Sequence, residues 1–224
     1  MNQLNDVIDL LKEKANPKYL AGMSRFGIAS GNALGIAVPE LRKMAKVIKK
    51  DHPLALALWE TKIHEARLLA SMIGDPKLFT EAEADKWVKD FNSWDICDQV
   101  CGNLLDRTPF ALPKALAYSE SEEEFVKRAG FVLMAEFAVH DKKAPDEAFT
   151  PFFAVMEREA WDNRNFVKKA VNWALRQIGK RNGNLRRLSI DCAHRIITQN
   201  SKSARWIGLN ALNELSGKQV VTNN

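Results

Sequence analysis

Tyrosine is nearly absent from this chain, with 2 residues in 224, and cysteine is little commoner, with 3. Scarce tyrosine and short β-branched runs exclude a sheet-rich fold. Cys97, Cys101 and Cys192 are too few, and odd in number, for a disulfide framework. Cys97 and Cys101 stand four apart, on one face of a helix, but a zinc site would need further Cys or His ligands nearby, and none is there. All three are therefore expected to be buried or half-buried thiols. The four histidines, His52, His64, His140 and His194, fit no ligand cluster and read as structural or surface residues, so neither metal nor other cofactor is expected. No apolar stretch approaches the roughly 20 residues that span a bilayer. Met1 to Asn16 lacks the charged-then-apolar pattern of an export signal, so a cytoplasmic protein without membrane contact is expected.

What is present is helical. With 46% hydrophobic and 27% charged residues the composition is that of a globular protein large enough to bury a core. Pro39 beside Glu40 opens an amphipathic run to Ile48, and Pro53 opens the next, to Trp59. Thr80-Glu81-Ala82-Glu83 has the form of a capping box ahead of Trp87, Val88 and Phe91. Asn163 is placed to cap the segment starting at Phe166. Helix-length patterns alternate with short polar breaks, with no convincing linker.

A weak repeat runs through these helices. A basic residue stands just before a small-and-apolar run at Arg67, Arg128, Lys169 and Arg205, and Asp98 falls in the gap. The markers lie about 30 to 40 residues apart, which suits one helix pair per unit. The expected architecture is all-α, a single curved α-solenoid of HEAT-like helix pairs over residues 1–224.

The net charge of +5 is unevenly spread. From Arg164 to Arg205 there are eleven Lys or Arg residues against one acid, Asp191, giving +10 and leaving −5 elsewhere. Such a basic half, about 164–205, fits a polyanion, although a merely solvated basic face remains an alternative. At 100° per residue, Phe166, Val167, Ala170, Val171, Ala174, Leu175 and Ile178 fill one half of the wheel of the segment 163–181. Lys169, Trp173, Arg176 and Lys180 fall together outside that half. An indole among cations suits contact with sugar or base while the cations hold phosphates; the alternative is a boundary Trp covered by the next helix. In Trp94-Asp95-Ile96-Cys97-Asp98, Trp94 and Asp98 share a helix face. Asp95 near the helix start fits a capping or dipole role. Asp98, one turn deeper, is either functional or an ion-pair partner, with Arg128 a natural candidate for the pairing.

Three ordered motifs carry a resemblance: Trp94-Asp95-Ile96-Cys97-Asp98, Val126-Lys127-Arg128-Ala129, and Phe166-Val167-Lys168-Lys169-Ala170-Val171-Asn172-Trp173-Ala174-Leu175-Arg176. From about Leu4 to Leu215 the sequence resembles the DNA alkylation repair family, the AlkD-like HEAT-repeat DNA glycosylases. The resemblance implies Asp98 as catalytic carboxylate, Trp94 and Trp173 as an aromatic pair flanking a damaged nucleotide, and Arg128 as a basic residue at the site. Lys169, Arg176, Lys180 and Phe26 would meet the DNA. The partner implied is alkylated double-stranded DNA, and a basic groove is a design for which a monomer suffices.

The implied chemistry suits these residue types. An N3- or N7-alkylated purine is cationic and leaves as a neutral base, so no general acid is needed. Positive charge develops on the deoxyribose, where a carboxylate stabilises it and orients water. Aromatic faces favour the cation by roughly 0.5–2 kcal/mol each. The sequence departs from the family pattern at Ser93, where some members carry a second tryptophan. It departs again from Gly22 to Gly35, where active members resemble an extra helix near the lesion. Four glycines, each costing about 1 kcal/mol in a helix interior, predict a shortened or looped element there. Beside the glycosylase stand two alternatives: a non-catalytic member that binds damaged or branched DNA, and a protein-binding HEAT scaffold.

Overall fold

The computed structural model describes residues 3–28 and 31–220, the last three of these in their backbone only. Thirteen α-helices and three short 3-10 turns make up its regular structure, with no strand among the described residues. None of these helices is long and apolar enough to cross a membrane. The chain divides into two compact units, Met1–Phe110 and Ala111–Asn224.

The first unit holds α1 (Gln3–Glu13), α2 (Pro17–Met23), α3 (Val38–Ile48), α4 (His52–Glu60), α5 (His64–Ile73), α6 (Glu81–Lys89) and α7 (Trp94–Asn103). Local chemistry sets most of the starts. Asn16 accepts from the Lys18 and Tyr19 amides ahead of Pro17, Asp51 accepts from Leu54, and Thr80 and Glu83 form both halves of the capping box expected from their spacing. Helix α5 is the centre, buried from His64 to Ser71 and packed against α3, α4 and α7. Trp59 and Trp87 stack at 4.0 Å with planes 5° apart, and Phe79 and Phe91 meet them edge-on. Such ring contacts add about 0.5–1.5 kcal/mol each beyond the area they bury.

The glycine-rich stretch forms no long helix. Helix α2 ends at Met23, a 3-10 turn covers Ser24–Phe26, and Gly27 closes it with a left-handed φ of 71°. Ala29 and Ser30, within this stretch, lie outside the described residues. Its far end is pinned to α5: the fully buried Glu65 carboxylate accepts the amides of Leu34 (2.8 Å), Gly35 (2.7 Å) and Ile36 (3.1 Å). Asn32 O accepts from His64 N, and Leu34 O from Asn16 N. At Gly35, φ is +77° and a Cβ would sit 2.3 Å from Asn16 O, so only glycine fits.

The second unit holds α8 (Ala111–Ser119), α9 (Glu124–His140), α10 (Thr150–Glu159), α11 (Asn165–Gly179), α12 (Gly183–Ile197) and α13 (Lys202–Val220). Two layers are evident. Helices α9, α11 and α13 pack in sequence as one layer, α8, α10 and α12 as the other, and α8/α9 and α12/α13 close as pairs. This is the stacked-pair architecture the repeat predicts. Gly130 lets α8 and α9 touch backbone to backbone, since a Cβ there would lie 2.4 Å from Ser119 N.

The N-terminus of α11 differs from expectation. Its N-cap is Arg164, with no side-chain cap bond, rather than Asn163. Asp162, one residue earlier, accepts the Arg164 amide (2.9 Å) and binds its guanidinium. The carboxylate thus fixes the N-cap residue itself, and no side chain caps the first turn.

Candidate nucleic-acid interface

In the first unit the expected site residues lie on and beside α7. Ser93 is its N-cap and is fully buried, its hydroxyl donating to Asp95 at 2.6 Å. Asp95 also accepts from its neighbour's amide, Ile96 N (3.0 Å), and meets His64 Nε2 at 2.8 Å. Burial alone would raise the Asp95 carboxyl. The bonds from His64, Ser93 and Ile96, with the charge on His64, outweigh that and hold its pKa below the ordinary carboxylate range. Asp95 is therefore an internal brace between α7 and α5, in keeping with the structural role read from the sequence.

Trp94 and Asp98, one turn apart, are both partly exposed. The Trp94 indole N–H donates to the carbonyl of Phe26 at 2.8 Å. This bond ties the turn after α2 to the start of α7. Phe26 itself is 70% exposed. The bond joins residues 68 apart in sequence, and nothing local in the sequence announces it.

In the second unit the wheel of α11 holds. Val167, Ala170, Val171, Ala174, Leu175 and Ile178 are buried, Lys169 is exposed, and Trp173 is half-buried at the edge. Arg176 and Lys180 share that side of the helix, but each forms an ion pair with Glu214 of α13. Burial would raise the Glu214 carboxyl. Hydrogen bonds from Lys180 and Arg176, with their charges, pull it below its ordinary value. Sequence reasoning missed Glu214, although it is the one acid after Asp191. It missed as well the Lys168 ammonium over the Trp206 ring at 5.4 Å, a second half-exposed indole beside a cation.

Two of the other repeat markers, Arg67 and Arg128, are internal, while Arg205 is exposed. Arg67 is buried on α5, stacks on Trp59 at 4.6 Å and binds Asp90 at 3.1 Å. Arg128 is buried on α9 and donates to Phe166 O at 2.6 Å, bracing the first turn of α11. Beside it, buried Lys127 reaches Glu159 (2.7 Å) and Asp162 (3.7 Å). Arg67 and Asp98 fall on α5 and α7, and Arg128, Lys169 and Arg205 on α9, α11 and α13, which pack on one another within their units. Each cysteine is buried and free of disulfide. Burial, with Glu157 nearby, pushes the Cys192 thiol well above its ordinary value.

Stacked helix pairs with a cation-and-indole face define a class of helical-repeat proteins. The family model described as DNA alkylation repair enzyme matches residues 7–209, and the chain belongs to that family. Its fold is similar to that of a solved structure described as a new family of proteins related to the HEAT-like repeat DNA glycosylases with affinity for branched DNA structures. The two agree at a TM-score of 0.74 and 19% identity, over 91% of this chain and 92% of the other. No curated protein sequence matches it.

Proposed function

We propose that this protein binds double-stranded DNA and hydrolyses the N-glycosidic bond of cationic N3- or N7-alkylated purines. In this reading Asp98 is the carboxylate that stabilises the developing sugar cation. Trp94 and Trp173 offer aromatic faces, Arg128 is a basic residue at the site, and Phe26, Lys169, Arg176 and Lys180 contact the DNA. The observation that carries it is the family match over residues 7–209, which takes in every one of these residues. Supporting it is the partly exposed Trp94–Asp98 face on α7.

A second reading has its own observation. Helix α2 stops at Met23, and among the described residues one 3-10 turn is the only regular element before α3. The structurally similar protein is described by its affinity for branched DNA. On this reading the chain binds damaged or branched DNA without breaking a bond.

One experiment tests both. Methylated duplex DNA is incubated with the protein, released purines are separated chromatographically, and binding to intact and branched duplexes is measured across a salt series. Release of 3- or 7-methylpurine supports the glycosylase. Salt-sensitive binding without release selects the second reading, and salt-insensitive or absent binding sinks both.

Glu214 allows a sharper test of the α11 face. In this reading it takes the place of a phosphate, one carboxylate pairing with both Arg176 and Lys180. Glu214→Gln is expected to raise DNA affinity several-fold and to steepen the salt dependence by about one to two phosphate equivalents. Unchanged affinity and slope would remove both cations from the interface.

A further inference from the structure

A cavity of about 350 Å³ opens in the first unit, and neither Trp94 nor Asp98 lines it. Ile96, His64 and Arg67 line it as buried residues, and Asn32, Asn92 and Lys62 as exposed ones. None of the residues lining it is acidic. His64 is engaged with Asp95, and Arg67 with Asp90 and Trp59 O. Those bonds use three of the five guanidinium N–H groups, leaving two. Lys62, also in the lining, forms no ion pair among the described residues.

Lys62 also stands in an unusual backbone conformation, with a φ of 60° just after the last turn of α4. Glycine is the residue that such a position favours, because a side chain there is strained. Lys49, with a φ of 65° after α3, shares this conformation away from the cavity, so it is the placement of Lys62 in the lining, with no ion pair of its own among the described residues, that marks it.

We infer that this cavity is a phosphomonoester site, taking the terminal phosphate of a nucleic-acid strand or of a free mononucleotide. Lys62, the spare N–H groups of Arg67 and the amides of Asn32 and Asn92 supply the donors that phosphate oxygens require. Asp90 and Asp95, which hold Arg67 and His64, are not among the described lining residues. The volume lies within the range of small-ligand pockets, and a chain end enters a recess that an unbroken strand passes over. The inference rests on no part of the base-release reading, and a protein without glycosylase activity retains the site.

The test compares 3′-labelled oligonucleotides carrying a 5′-phosphate or a 5′-hydroxyl, with dAMP and deoxyadenosine as competitors. The phosphorylated end is expected to bind about tenfold tighter, the worth of one or two charge-assisted hydrogen bonds. Competition by dAMP but not deoxyadenosine assigns the site to free nucleotides. Discrimination between strand ends without such competition assigns it to chain termini. Lys62→Gly is expected to abolish the discrimination or competition while leaving the melting temperature unchanged or raised, because it relaxes the backbone. Asn92→Asp, which places a carboxylate in the lining, is expected to abolish it too. Equal affinity for the two ends together with no competition by dAMP overturns the inference, as does discrimination that survives Lys62→Gly.

Discussion

Replacement of Asp98 by asparagine is expected to lower purine release by at least about a hundredfold while leaving DNA affinity unchanged or higher. The change keeps the side chain's shape and removes its charge, and charge is what the proposed chemistry uses. The alkylated base leaves neutral, so no proton donor is called for. The deficit appears at C1′, where an anion lowers the barrier in proportion to the positive charge formed. Removing a negative charge from a surface proposed to face DNA does not weaken binding to phosphates. A purely structural Asp98 predicts a different pattern, a lowered melting temperature with release reduced no more than the folded fraction. Release, affinity and thermal stability measured on one preparation separate the two roles.

Lys127→Met is expected to lower the unfolding free energy by about 3 kcal/mol at neutral pH, measured by urea denaturation. Methionine keeps the length of the stem and removes the ammonium from between Glu159 and Asp162. Breaking a buried pair by removing one partner costs about 3–5 kcal/mol, because a charge is left uncompensated. The lower end applies here, since Arg158 still binds Glu159 and Arg164 still binds Asp162. Burial would raise both carboxyls, yet bonds from Arg158 and Lys127 to Glu159, and from Arg164 to Asp162, hold their pKa values below ordinary ones. Their contribution is therefore complete above the unfolded carboxylate range and is lost as pH falls through the folded values. The gap between wild type and variant is accordingly widest at neutral pH and narrows in acid. A gap independent of pH would mean that the packing of the stem, and not its charge, is what matters.

Signals confined to a few residues were legible in the sequence. The Thr80–Glu83 box and the prolines opening α3 and α4 act within one turn and appear as read. The wheel of α11 also placed its buried half correctly, because helical periodicity fixes which side chains share a face. What depended on distant elements was not legible. The Trp59–Trp87 stack joins residues 28 apart, and Glu214 lies 38 residues from Arg176. Helix register decides such meetings, and no local pattern encodes it. The repeat of basic residues illustrates both sides. Its period marked the helices that pack on one another, but Arg67 and Arg128 proved to be buried braces to Asp90 and Phe166 O. On α7 and on α11 the helix faces of Trp94 and Asp98 and of Trp173 were legible, and the bond from Trp94 to Phe26 was not.

The clip formed by Glu65 has an evolutionary corollary. Asn16 fixes the chain at the start of α2, and Glu65 fixes it again at Leu34, Gly35 and Ile36. Between those two rivets Met23 is the only buried position among the described residues, so the rest can change while the hydrophobic interior keeps its registration. Descendants of one scaffold can thus vary this segment, provided the glutamate and the glycine are kept.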